Sequence, residues 1–179
     1  MIERSVILKN QRFAGQVKRY HTWPTLQSQT NADHTWHVMR IYVQLFAGYI
    51  AGPHEAALGY IMYHDIGEIK TGDLPFPVKS ENPFLKDTFD NLEDGARVGM
   101  GIYRMPAIDP NTKMRIKLCD LLEMWEFGQQ EYAMGNTYAG PIIEDTGSMI
   151  SKLAADMDAG GILMARILKH MGDFPKWNR

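Results

Sequence analysis

His34, the adjacent pair His64 and Asp65, and the distant Asp120 are residues of the kind that hold a divalent metal, and they lie on three separate stretches of the chain. Two neutral imidazoles and two carboxylates make a mixed nitrogen and oxygen donor set. Such a set suits zinc, cobalt, manganese, nickel or iron better than an ion that prefers thiolates, and donor softness does not choose among them. With four protein ligands, an ion that prefers six keeps positions for a water and a phosphoryl oxygen. It can then generate hydroxide and polarise a phosphorus centre, which is hydrolase chemistry. Glu68 follows Asp65 by three residues and His64 by four, so on a helix it shares their face and could orient the attacking water. Asp73 adds a carboxylate just beyond, for proton transfer or for a hydrogen bond to a ligand histidine.

These residues need rigid elements behind them. Thr30-Asn31-Ala32-Asp33 offers capping groups before Trp36, Met39, Val43, Phe46 and Ile50, which recur at helical steps. Gly52-Pro53 separates that helix from a second, in which Leu58, Ile61, Met62 and Ile66 carry the period to Ile69 and Gly72 stops it. The two prolines between Gly72 and Lys79 predict an ordered loop. Leu85 to Tyr103 reads as a helix weakened by three glycines, and Asp109-Pro110 caps and opens another with Met114, Leu118, Leu121, Leu122 and Trp125 on its apolar face. Pro141 to Met171 reads as two helices around Gly160-Gly161. No segment alternates as a strand would, so the expected fold class is all-α, a bundle of about six or seven helices.

The composition bounds the rest. The 179 residues suit one sizeable core, so the expectation is a single domain over 1–179. An apolar fraction of 45% with 22% charged residues is that of a folded globular chain. A net charge of −2 supplies no basic field for polymeric nucleic acid, so any anion site must be local. Met1 to Phe13 mixes charged and apolar residues without a signal-peptide core, and Gln44 interrupts the longest apolar stretch, Ile41 to Ile50, so no membrane segment is expected. The lone Cys119 excludes an internal disulfide, reads as a small buried hydrophobe, and suits a reducing compartment such as the cytoplasm. His37 reads as a packed residue, and His54 and His170 as surface residues. His21, in the Arg19 to Trp23 segment, reads equally as a loop residue or as a contact to phosphate or base.

A histidine, a distant His-Asp pair and a later aspartate form a pattern that resembles the HD-domain phosphohydrolase superfamily. Tyr63-His64-Asp65-Ile66-Gly67-Glu68, followed by Gly72-Asp73-Leu74-Pro75 and Pro77-Val78-Lys79, is similar to the small bacterial 5′-deoxynucleotidases and the phage dATP triphosphohydrolases. The segment from Arg19 to Pro24 looks more like the phage group. The resemblance implies an HD-domain helical bundle in which His34, His64, Asp65 and Asp120 hold one divalent transition metal (zinc, cobalt or manganese), with magnesium accompanying a triphosphate. It implies Glu68 as the catalytic carboxylate with Asp73 as its partner. Arg19 and Lys79 or Lys117 would hold phosphate, the first through its bidentate fork and a lysine as a point charge, and the resemblance sets Trp23 near the nucleotide; by residue type and neighbourhood, Tyr20 and Trp23 read equally as packing anchors beside Pro24 or as faces that stack on the base. The implied reaction is dATP to deoxyadenosine plus triphosphate, depleting dATP in a phage whose genome replaces adenine by 2,6-diaminopurine. A deoxynucleotidase that takes dNMPs is the enzymatic alternative, and a nucleotide-binding regulator without turnover is the alternative of another class. The implied partners are a small deoxynucleotide and further copies of the chain, as a dimer or hexamer, in the host cytoplasm if phage-encoded.

Overall fold

A computed structural model of the chain describes residues 4–48, 54–75, 82–157 and 161–174. Among them are seven α-helices: α1 (Arg4–Ala14), α2 (Asn31–Tyr42), α3 (His54–Tyr63), α4 (Pro83–Gly99), α5 (Pro110–Ala133), α6 (Gly140–Met157) and α7 (Ile162–Asp173). A π-helical turn, Val43–Ala47, continues α2, and two 3-10 helices cover Ile66–Ile69 and Thr137–Ala139. No strand occurs among the described residues beyond one isolated bridge between Lys18 and Thr30, so the chain is all-α as expected. None of the described helices is long and apolar enough to cross a membrane. The residues divide into two compact units.

The first unit comprises Met1–Pro24, Ser28–Trp36 and Leu58–Ala107. Its centre is the 3-10 helix Ile66–Ile69, against which α1 and α4 both pack. Ala14, Ala96 and Met100 form the buried cluster, with Ile66, Ile69 and Ile102 against it. Helix α1 was not evident in the sequence, where charged and apolar residues simply alternate. It is held by tertiary contact instead: Ala14 is buried and Gln11 Nε2 donates to the Met100 carbonyl at 2.9 Å. Helix α4 starts on Pro83 and ends earlier than expected, at Gly99, because Gly101 at φ 79° allows the Ile102 amide to return to the Arg97 carbonyl.

The second unit comprises Thr25–Gln27, His37–Ala57 and Ile108–Arg179, and is organised on α5. Asp109 caps α5 by accepting from the Thr112 amide at 3.0 Å, with Pro110 in the first turn, as expected. Leu118, Leu121, Leu122 and Trp125 are buried, Met114 half-buried, and α6 packs along the helix where Gly128 leaves room for Ile143. Cys119 is fully buried, and that burial pushes its thiol pKa well up. The helix also buries Glu126 and Glu131. Glu131 accepts from the Leu26 and Gln27 amides and from Asn136 Nδ2, while Glu126 pairs with Arg40 and with His170 Nε2 at 2.7 Å. His170 is therefore not the surface residue expected from sequence; a buried carboxylate needs its partner.

Two expectations about helix faces are corrected. On α2 the buried face is Val38, Ile41 and Tyr42, continued by Leu45 and Phe46, while Trp36 and Val43 are exposed. That face begins with the buried polar residues Asn31 and His34, which an apolar pattern misses. Second, the helix through His64 does not run to Ile69. It stops at Tyr63, and a 3-10 helix follows after a turn at His64 and Asp65. Gly52-Pro53, Phe76 to Lys79 and Gly160 lie outside the described residues.

Gly67 accounts for the close approach of the 3-10 helix to α4. A Cβ there would lie 2.6 Å from the Glu93 Cβ and 2.7 Å from its carbonyl oxygen. Gly67→Ala is therefore expected to destabilise the protein by about 1–3 kcal/mol, the usual range for overpacking. Gly95→Ala, at a position of α4 with nothing within 4 Å of an added Cβ, is expected to stabilise by about 1 kcal/mol through helix propensity. Urea unfolding midpoints of the two variants should move in opposite directions.

Candidate active site

The first unit brings together Arg19, Tyr20, His34, His64, Asp65, Glu68 and Asp73, all singled out from sequence. His34 lies in the first turn of α2, whose start is fixed by a reciprocal cap: the Thr30 amide and hydroxyl donate to Asp33 Oδ2, and the Asp33 amide to Thr30 Oγ1. His64 follows the last residue of α3, where its Nδ1 is 2.6 Å from the Ile61 carbonyl and its own carbonyl accepts from Arg97 Nη1 at 3.1 Å. A carbonyl can only accept, so Nδ1 carries a proton, which leaves Nε2 as the nitrogen that can meet a metal. His34 and His64 each offer a ligand nitrogen, the two within 4.8 Å of one another.

Both rings meet Asp65. Its Oδ2 is 3.5 Å from His34 Nε2, 3.3 Å from His64 Nε2 and 3.0 Å from Arg19 Nη1. Two imidazole nitrogens and a carboxylate oxygen gathered this closely are donors of the kind a divalent transition metal takes. The donor set thus fits a transition metal on its own chemistry.

Arg19 reaches Asp65 from a segment tied to the start of α2 by Arg19 N to Gln29 O at 2.9 Å and Asn31 N to Val17 O at 2.9 Å. Tyr20, next in the chain, sits at φ 55°, a conformation costly for a residue with a Cβ. Asp73 supports this corner: its Oδ2 accepts the Tyr20 amide at 3.3 Å and its Oδ1 is 3.8 Å from Arg19 Nη1. The Arg19 guanidinium lies over the Tyr20 ring, 5.9 Å from its centroid. His21 and Trp23 are exposed.

Glu68 is buried in the 3-10 helix, near the other acids through a tight turn rather than by the α-helical spacing expected; its amide donates to the Asp65 carbonyl at 3.0 Å. Burial chiefly pushes its pKa up to about 8, aided by the charges of Asp65 and Asp73 and opposed by Arg19 and by a hydrogen bond from Asn31. Asn31 Nδ2 donates to Glu68 Oε2 at 2.9 Å and to the Asp65 carbonyl at 3.3 Å. Asn31 and Arg97 are contributors that sequence reasoning missed. An asparagine opening a helix reads as a cap, and nothing local marks Arg97. Of the remaining candidates, Asp120 is half-buried and Lys117 exposed, both on α5 in the second unit, and Lys79 lies outside the described residues.

The family model described as "5′-deoxynucleotidase YfbR-like" matches residues 11–107. A dATP triphosphohydrolase of Salmonella phage PMBT28 is 33% identical over 67% of this chain and 66% of its own. A 5′-deoxynucleotidase of Vibrio atlanticus (strain LGP32) is 31% identical over 45% of this chain and 46% of its own, so the match spans about half the length of that relative. Among solved structures, the cyanophage S-2L HD phosphohydrolase (DatZ) bound to dA and one catalytic Zn2+ ion superposes with a TM-score of 0.73 at 19% identity, covering 92% of this chain and 93% of that one. At that identity the likeness is one of fold, the all-α HD-domain fold expected from sequence.

The raised pKa of Glu68 has a measurable consequence. The native state keeps a proton that the unfolded chain releases near pH 4.5, so stability should fall as pH rises from about 4.5 to about 8 and level off above. In chelator-treated protein, Glu68→Gln is expected to remove this part of the decline in urea midpoint. A variant whose midpoint falls with pH as steeply as wild type would show that the decline does not come from Glu68.

Proposed function

This chain belongs to the YfbR-like 5′-deoxynucleotidase family, within the HD-domain phosphohydrolase superfamily, and we propose that it is a metal-dependent deoxynucleotide phosphohydrolase that converts dATP to deoxyadenosine and triphosphate. The observation that carries the reading is the meeting of two imidazole nitrogens and the Arg19 guanidinium on one Asp65 oxygen, beside the buried Glu68. The dATP preference is supported by the Salmonella phage relative, which matches the larger share of the chain, and by the dA bound in the cyanophage protein of the same fold. In a phage whose genome carries 2,6-diaminopurine in place of adenine, such an activity would deplete dATP. The family and the Vibrio relative favour a second reading, hydrolysis of dNMPs to deoxynucleoside and phosphate.

In this reading His34, His64, Asp65 and Asp120 hold the metal, so residues 1–179 act as one functional domain. When bound, a divalent ion supplies Lewis acidity toward a phosphoryl oxygen and lowers the pKa of water. Arg19 binds phosphate; its fork has five N–H donors, enough to hold Asp65 and still meet phosphate oxygens. Lys79 and Lys117 add point charges for the longer phosphate chain, and Tyr20 and Trp23 offer faces to the base. Asp73 keeps the Arg19–Tyr20 corner in place. Water attacks the α-phosphorus, a P–O bond forms, and the bond to O5′ breaks. Glu68 takes the proton of the water, and O5′ leaves protonated as the deoxynucleoside hydroxyl. A carboxylate at this place can accept the proton of the water and return it to O5′, as this step needs. The dNMP reaction breaks the same ester bond, so the two readings differ in how many phosphates the site holds. The active form is a homo-oligomer, dimer or hexamer, in this proposal.

Anion-exchange analysis of products, with each dNTP and dNMP offered alongside zinc, cobalt or manganese, separates the readings. Deoxyadenosine and triphosphate from dATP are expected. Phosphate from several dNMPs would establish the deoxynucleotidase, and nucleotide binding without turnover under any metal would establish a regulator. Asp65→Asn should lose metal and activity together, whereas Glu68→Ala should keep metal and lose about 10²–10⁴-fold in kcat.

A further inference from the structure

Asn31 stands where a helix opens, yet it does not cap that helix. Thr30 and Asp33 satisfy each other across the first turn, which leaves the Asn31 side chain to turn inward. Its own amide is held by the Val17 carbonyl at 2.9 Å, so its backbone is anchored independently of what the side chain does. The residue is 4% exposed, and its Oδ1 is buried with no hydrogen-bond partner among the described residues. An asparagine inside a helix is a poor helix former, and a buried amide with an unsatisfied acceptor costs stability. Local rules are broken here, as they are at sites that serve a function.

What the cost secures is on the other half of the amide. Nδ2 donates to Glu68 Oε2 at 2.9 Å and to the Asp65 carbonyl at 3.3 Å, two residues reached across 37 and 34 positions of sequence. Asn31 and His34 are three apart on α2, so they share one helical face. One rigid turn of helix thus presents an imidazole toward Asp65 and an amide toward Glu68.

We propose that Asn31 is a positioning residue, whose side-chain amide sets the Glu68 carboxyl in register with the His34 and Asp65 pair for attack on the phosphorus. The inference rests on the assignment of Glu68 made above. Asn31 touches neither substrate nor metal; it acts through Glu68.

The test measures kcat, KM and metal stoichiometry with dATP and with dAMP for Asn31→Leu and Asn31→Asp, alone and combined with Glu68→Ala. Both single variants should lose about 10–100-fold in kcat, the range for partners that orient a catalytic group, with KM and metal content little changed. In the Glu68→Ala background, neither should cause a further loss, because the group they position is gone. Asn31→Asp keeps the shape of the side chain and reports even if Asn31→Leu fails to fold. Wild-type kcat in either folded variant, or an equal fold-loss with and without Glu68, would overturn the role of Asn31 alone. Full activity of Glu68→Ala would overturn the assignment on which it rests, and a wild-type chain that hydrolyses neither nucleotide would overturn the proposed function itself.

Discussion

One oxygen of Asp65 carries a burden that shapes everything around it. Two imidazole nitrogens and a guanidinium converge on it within 3.5 Å. To bring them there, the chain ends α3 at Tyr63, turns at His64 and Asp65, and resumes as a 3-10 helix. A tighter helix has poorer hydrogen-bond geometry, so outside groups must support it. Arg97 takes the His64 carbonyl, Asn31 the Asp65 carbonyl, and Gly67 brings the segment onto the backbone at Glu93.

The cost of so many acids in one place appears in Glu68, whose charged form is opposed by burial first and by its neighbours second. The second unit meets the same difficulty with different means. Along α5, Glu126 and Glu131 are buried too, but each is matched by donors: Arg40 and His170 for the first, two backbone amides and Asn136 for the second. Those carboxylates fasten elements together. Glu68 accepts from Asn31 Nδ2, and burial with the charge of Asp65 beside it holds its pKa up at about 8.

In the proposed reading, substrate choice turns on the Arg19–Tyr20 corner. The overall charge of −2 draws no anion to the surface as a whole, so in that reading phosphate is recognised by a few placed cations. Arg19 is placed by backbone hydrogen bonds on one side and by Asp65 and Asp73 on the other, and Tyr20 holds a left-handed conformation that this arrangement requires. Preorganisation of this kind spends folding energy to spare binding energy.

The chain's sequence alone determined the helical class, the caps of α2 and α5, and the identity of the residues that gather in the first unit. Each of these is either local, as Asp109 with Thr112 three residues on, or carried by residue types that do little else, as the His64–Asp65 pair. Only the tertiary structure decided where α3 breaks, which face of α2 is inside, that α1 is a helix, and that His170 is held by Glu126 44 residues away. Asn31 shows why. Its helix-opening position is legible from its neighbours, but its partner Glu68 is 37 residues distant, and no periodicity within one helix encodes a hydrogen bond made to another.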